Sequence, residues 1–275
     1  MVLTLLITGV FFRLQPCHGS GIERIEPQQL ERDKAAWVIL DARPEERWKT
    51  SRIPGALSFS WEAHTRTDDR QVPYRVQDPE TLAAALGTLG IAVNTPVAVY
   101  GDADSSWGGE GWVCWVLTWM SHQGTIALLD GGIQAWTGAG YPLEKGGELS
   151  AGRTVVYQPR PDPAMMVSAR DLHDHLGDRQ LVDTRSFMEW IRGHLPGAVH
   201  ITWESFFFGG NRRPLDSTSV RNLLADHGIS PERPVVYYCT GGIRSGYAWM
   251  VHELAGLPRA VNFEGGTAEW DAIFP

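Results

Sequence analysis

The chain of 275 residues is short of cysteine, of positive charge and of long apolar runs. Each shortage excludes something. Its three cysteines, Cys17, Cys114 and Cys239, are too few and too far apart for a disulfide framework or a zinc knuckle. No metal and no cofactor are therefore expected, and each cysteine is judged alone. Lys and Arg number 24 against 32 Asp and Glu, a formal net charge of −8. A nucleic-acid binder carries basic stripes, and none stands here, so nucleic acid drops out as a partner. The apolar run at residues 2–12 is too short to cross a bilayer as a helix, so no stable membrane span is expected.

That same run has the length of the apolar region of a secretory signal. Small residues follow at Gly19, Ser20 and Gly21, where cleavage could occur, although no basic residues precede the run. Residues 1–21 are expected to be a signal peptide and the protein to be periplasmic. The alternative is a cytoplasmic protein whose first segment packs on the domain as a strand or helix. Pro16 before Cys17 argues against a lipid anchor.

What is present is ordinary core material. Apolar residues make up 43% and charged residues 20%, and the length favours two domains. The 12 Trp are expected in cores and at the domain interface rather than around a ligand.

The chain repeats itself. Val38-Ile39-Leu40-Asp41-Ala42-Arg43 matches Leu181-Val182-Asp183-Thr184-Arg185. Thirteen residues past each Asp stands a Pro-Gly pair, Pro54-Gly55 and Pro196-Gly197. A-L-S-F-S-W-E then answers A-V-H-I-T-W-E, and L-G-T-L-G-I answers L-A-D-H-G-I. A proline opens a strand in each half, at Pro96 and Pro234. Both halves close on Gly-Gly-x-x-x-Trp, ending at Trp136 and Trp270. The offset shrinks only from 142 to 134 residues, so the chain is a tandem duplication. Short apolar runs at Val38–Asp41, Val97–Tyr100 and Ile126–Leu129 predict buried strands. Residues 82–89 and 111–120 predict helices. Strands alternating with helices predict an α/β fold, each half a mainly parallel sheet flanked by helices. Domains are expected at 22–145 and 164–275, with a linker at 146–163. Turn formers fill 142–163, where one added strand is expected at 154–157.

In the second half the strand Val235–Tyr238 runs into Cys239-Thr240-Gly241-Gly242-Ile243-Arg244-Ser245, and a helix is expected from about Gly246. The carboxyl end of a strand in a parallel sheet is where ligands bind. Loop N–H groups and the positive end of a helix dipole there favour a thiolate, and Arg244 adds charge. Two glycines let the loop curl tightly. Without those neighbours, a cysteine after an apolar strand would read as an inert buried thiol.

The ordered motifs D-x-R, H-L-P-G-A (His194 to Ala198), C-x-x-G-x-R-S and E-G-G-x-x-x-W resemble the rhodanese family, from about Ile22 onward in both halves. The pattern is similar to the two-domain sulfurtransferases, which implies two tandem rhodanese-like domains with only the second catalytic. The resemblance implies that Cys239 takes a sulfane sulfur from thiosulfate or 3-mercaptopyruvate as a persulfide. Cyanide or a thiol then accepts it. It places Thr240, Gly241, Gly242, Ile243 and Arg244 around the sulfur and Ser245 at the helix start. Gly101 stands where Cys239 would, followed by Asp102 and Asp104, so the first half is expected to be silent. The chain departs from the family too. Thr240-Gly241 replaces the basic pair of thiosulfate-type enzymes, and the Arg-rich insert is reduced to residues 186–192. Arg244 becomes the main fixed cation near the sulfur, with Arg192, Arg212 and Arg213 as candidate helpers.

Asp183 and Arg185 have the duplicates Asp41 and Arg43 in the silent half, so a structural pair is expected. His194 is expected to be structural, and Cys114, within W-V-C-W-V-L-T-W, to be core. Two rival functions stand beside sulfur transfer. One is a non-catalytic sulfur carrier or binding module. The other is a cysteine-loop phosphatase, which needs five residues between Cys and Arg where this chain has four. A monomer is expected.

Overall fold

The computed structural model describes residues 21–146 and 152–274. The expected signal segment, with Cys17, lies almost wholly outside the described residues. The first half holds strands β1 (Ile22–Ile25), β2 (Val38–Asp41), β3 (Leu57–Ser58), β4 (Thr65–Arg66), β5 (Arg75–Val76), β6 (Val97–Tyr100) and β7 (Ile126–Leu129). Its helices are α1 (Pro27–Arg32), α2 (Glu45–Thr50), α3 (Trp61–His64), α4 (Pro79–Thr88), α5 (Gly109–Trp119) and α6 (Gly132–Gly138). The second half holds β8 (Gln180–Asp183), β9 (Val199–His200), β10 (Phe207–Phe208), β11 (Arg213–Pro214), β12 (Val235–Tyr238) and β13 (Val261–Phe263). Its helices are α7 (Ala169–Asp174), α8 (Phe187–Arg192), α9 (Ser217–Asp226), α10 (Ile243–Leu254) and α11 (Gly266–Ile273).

Two parallel sheets result, in the order β1-β7-β6-β2-β3 and β13-β12-β8-β9. The central strands β6, β7 and β12 are buried along their whole length, which is why they read as continuous apolar runs rather than alternating ones. The tandem α/β architecture expected from the repeat is the one found. The two-residue pairs β4–β5 and β10–β11 are antiparallel hairpins outside the main sheets.

The expected strand at 154–157 does not form. The segment runs as irregular chain tied by Val155 N–H to the Gly87 carbonyl at 3.0 Å, and a Cβ on Gly87 would strike the Val155 carbonyl. Tyr157 is buried and stacks on His122 at 5.8 Å. With no sheet edge beside it, the segment packs by side chains instead of pairing.

One apolar cluster runs through both halves. It joins Trp112, Cys114 and Trp115 of α5 to Tyr247, Trp249 and Met250 of α10. Glycines let these two helices approach. A Cβ on Gly111 would collide with Tyr247 Cα, and one on Gly246 would sit 3.1 Å from Trp112 Cα. The interface therefore has the character of a core, and the two halves form a continuous body.

Candidate active site

The two sheets carry the same anchoring network at their strand ends. In the second half Arg185 pairs with Asp183 at 2.6 Å, both buried, and its other Nη2–H bond goes to the Gly193 carbonyl at 2.6 Å. The Tyr238 hydroxyl accepts from Leu195 N–H at 3.1 Å. In the first half Arg43, Asp41, Ser51, Tyr100 and Ile53 make the same bonds. A buried pair repeated where no nucleophile stands holds the turn before each Pro-Gly. None of these four ionic side chains reaches the cleft described below.

Cys239 follows directly on β12 and is buried, 2% exposed. Gly242 takes φ 84°, a left-handed conformation, and a Cβ there would lie 2.7 Å from the Glu264 carbonyl oxygen. Gly241 faces a second obstacle, with Tyr74 Cβ 2.5 Å from the place of its Cβ. Both glycines are thus demanded by close approach, one from within the second half and one from the first. Helix α10 begins at Ile243, three residues earlier than the sequence pattern predicts. Arg244 therefore sits in the first turn and Ser245 inside the helix.

Behind the loop, the start of α11 holds two carbonyls: Thr267 N–H donates to Cys239 O at 2.9 Å and Ala268 N–H to Thr240 O at 3.0 Å. Buried Ser245 donates to Asn262 Oδ1 at 2.7 Å, and Asn262 Nδ2 donates to the Gly242 carbonyl at 3.0 Å. Ser245 and Gly242 thus brace the loop from behind and do not line the cleft. Among the described residues, no protein acceptor takes the N–H of Thr240, Gly241, Gly242, Ile243, Arg244 or Ser245. Six consecutive donors are left free beside the sulfur, at the positive end of a 12-residue helix.

The sulfur opens on a cleft of about 550 Å³ between the halves. Cys239, Thr240, Gly241, Ile243 and Arg244 line it from the second half, with Ser186, Glu189 and Glu204. Trp61, Tyr74 and Trp107 line it from the first. Arg244 is the one cation among these lining residues, but it is not free. Its Nη1 and Nη2 donate to Glu189 at 2.8 and 2.7 Å, and Nη2 donates to Thr240 Oγ1 at 3.0 Å. Burial would lower the Arg244 pKa, but the Glu189 hydrogen bonds and the nearby Cys239 and Glu189 charges outweigh it and raise it. Arg244 in turn holds the Glu189 carboxyl well below the usual carboxylate range, against the opposing effect of partial burial. Glu189 also completes a capping box with Ser186 at the start of α8.

The remaining candidates stand elsewhere. Arg212 pairs with Asp104 at 3.1 Å, and Arg213 with Asp130 at 3.1 Å and Glu26 at 3.2 Å. They tie the halves together and do not help grip a donor, because carboxylates of the first half already hold both. Arg192 ends α8 in solvent, and exposed His194 stacks on Trp190 with ring centroids 3.5 Å apart. Cys114 is buried in α5, where burial pushes its thiol far above the ordinary range. At Gly101 the place of the sulfur is filled: a Cβ there would strike the Glu110 carboxyl, which accepts from Ser106 Oγ at 3.0 Å.

Glu189, Glu204 and the three aromatic residues escape a motif-based reading. One signal for two of them was the duplicated Trp-Glu pair. Its first copy gives Trp61 to the cleft and its second gives Glu204, while Trp203 is buried.

Known proteins resemble this chain over most of its length. The chain is 28% identical to a putative thiosulfate sulfurtransferase of Haloferax volcanii, over 88% of both chains. It is 27% identical to human 3-mercaptopyruvate sulfurtransferase, over 88% of this chain and 85% of that one. The fold matches SseA from Escherichia coli with a TM-score of 0.76 at 20% identity, covering 88% and 98% of the two chains. It also matches an anaerobic ergothioneine biosynthesis enzyme from Chlorobium limicola with a TM-score of 0.78 at 23% identity, covering 90% and 68%. The Rhodanese-like domain occurs twice, at residues 26–139 and 168–273, and the chain belongs to the rhodanese family.

Proposed function

We propose that the protein is a sulfurtransferase that carries a sulfane sulfur as a persulfide on Cys239. The observation that carries this reading is the run of six unpartnered N–H groups, Thr240 to Ser245, curled beside one buried cysteine at a helix start. Such a ring offers its donors to an anionic sulfur and costs no reorganisation when the charge arrives. Thiosulfate or 3-mercaptopyruvate serves as donor, in line with the names of the relatives, and cyanide or a thiol serves as acceptor. The step is a pair of displacements. The Cys239 thiolate attacks the outer sulfur of thiosulfate and expels sulfite, or attacks the thiol sulfur of 3-mercaptopyruvate and expels the enolate of pyruvate, which takes a proton from solvent. The acceptor then attacks the outer sulfur and returns the electron pair to Cys239 Sγ.

A second reading, a sulfur carrier without turnover, has one observation in its favour. The chain is 28% identical to the sulfur carrier protein TtuD of Thermus thermophilus, over 81% of this chain. Steady-state assays with each donor and cyanide separate the two. An enzyme turns over many times per Cys239 and is silenced by Cys239→Ser; a carrier stops after one. Export to the periplasm belongs to the proposal as well and is checked by cell fractionation.

A further inference from the structure

We propose that, among thiol acceptors, the cleft selects one bearing a positive charge on an apolar body over an anionic one. This rests on the sulfurtransferase reading and adds the identity of the acceptor class.

Three observations point there independently. The first is charge. The lining holds one cation, Arg244, against two carboxylates, Glu189 and Glu204. Glu189 consumes the cation in a two-bond pair. Glu204 accepts only from the neutral Thr202 hydroxyl, so its charge is uncompensated. A cysteine thiolate adds further negative charge.

The second is the aromatic wall. Trp61 and Tyr74 meet edge to face at 6.0 Å, and Trp61 is pinned by its Nε1–H to the Ser106 carbonyl at 2.9 Å. Trp107 is 53% exposed and presents its ring to a cation already, with Arg244 Cζ 5.9 Å from the ring centroid. Aromatic faces beside a carboxylate attract organic cations by quadrupole and charge together.

The third is backbone strain. Tyr74 and Trp107 adopt φ 64° and 54°, a region that bulky side chains avoid. Two of the three cleft aromatics are held there while 41% and 53% exposed. Strain at such positions persists where the surroundings over-determine it and clusters at ligand clamps. The hairpin that carries Tyr74 is fastened accordingly: Val76 N–H donates to Glu264 Oε1 at 2.5 Å and Arg75 pairs with Glu264 at 3.0 Å.

In the transfer step the acceptor thiolate attacks the outer sulfur of the Cys239 persulfide. A new sulfur–sulfur bond forms on the acceptor as the Cys239 bond breaks. The electron pair returns to Cys239 Sγ, and the acceptor's thiol proton has already passed to solvent. No oxidant or reductant is consumed.

The test separates the two layers. Cys239 is first loaded with inorganic polysulfide and freed of excess reagent, and the gain of one sulfur is read by mass spectrometry. Failure to load overturns the sulfurtransferase reading. The loaded protein is then offered cysteamine, 2-mercaptoethanol and thioglycolate, which are cationic, neutral and anionic, and an aminomethyl-substituted benzenethiol. Each unloading rate is divided by that thiol's rate with a free cysteine persulfide. The expected order is aromatic cation, then cysteamine, then neutral, then anion, with about a tenfold spread between cysteamine and thioglycolate. Glu204→Gln should compress the charge preference, and Trp107→Ala should remove the advantage of the aromatic ring. Both side chains lie at the cleft surface, and unchanged melting curves verify that the variants fold. Equal or faster unloading to thioglycolate, or a preference that neither variant moves, overturns the inference.

Discussion

Glu189→Gln is the most informative single change, because it removes a charge while keeping the side chain's shape. Glu189 binds Arg244 through two bonds and receives the Thr240 hydroxyl at 3.2 Å. Its side chain is about a third exposed, so solvent screens part of its field. A carboxylate roughly 7 Å from a bound oxyanion, at an effective dielectric of about 35, repels it by about 1.4 kcal/mol per unit charge. For dianionic thiosulfate this doubles, and physiological salt reduces it by roughly half. The variant should therefore raise kcat/KM for thiosulfate about tenfold, with a smaller gain for singly charged 3-mercaptopyruvate. Glutamine can keep the capping box with Ser186, so only the ion pair with Arg244 is lost and stability should fall by no more than about 1 kcal/mol. Stopped-flow loading of Cys239 against donor concentration, in low and high salt, reads the first effect. An unchanged or reduced rate with thiosulfate would refute the reasoning. It would mean that Glu189 serves by orienting Arg244 rather than by cancelling its charge.

Three further outcomes are expected. Gly242→Ala should cut sulfur transfer at least about 100-fold with the fold retained. The new methyl group meets the Glu264 carbonyl at 2.7 Å in a left-handed conformation and displaces the ring of donors. Glu110→Gln tests the filled site of the silent half. Burial raises the Glu110 pKa from 4.5 to about 7. The folded protein thus keeps a proton that the unfolded chain releases between those values, and stability falls as pH rises through that window. The variant should gain up to about 3 kcal/mol at pH 8 and nothing at pH 4 in urea titrations. Asp183→Asn leaves Arg185 buried beside a neutral partner and should cost about 3–5 kcal/mol; Asp41→Asn should cost as much yet leave transfer per folded molecule unchanged.

The fold was legible because the duplication writes each structural requirement twice. Asp41 and Asp183, Pro54-Gly55 and Pro196-Gly197, and Trp136 and Trp270 mark equivalent points of two sheets. The loop around Cys239 was legible for a related reason, since strand, glycines and helix start are local in sequence. What a local pattern does not carry is the other side of the cleft. Trp61, Tyr74 and Trp107 reach Cys239 only through the packing of α5 on α10, more than a hundred residues from the loop they face. Arg244 stands out in the sequence as the main fixed cation near the sulfur but its partner does not, because Glu189 lies 55 positions away on another helix. The helix start was misplaced by three residues because Ile243-Arg244-Ser245 offers no capping side chain, and Gly242 supplies the turn by its own φ. The extra strand at 154–157 failed because β-forming residues without an edge to pair with pack as loop.

The central claim is that one cysteine, held in a ring of free N–H donors, carries the sulfur. The most direct test is intact-mass and peptide mass spectrometry after brief exposure to donor. The account predicts one added sulfur on the Cys239 peptide, none on the Cys114 peptide, release on adding cyanide, and no adduct in Cys239→Ser. A protein that transfers sulfur with Cys239 unmodified, or that does so as the serine variant, would contradict it.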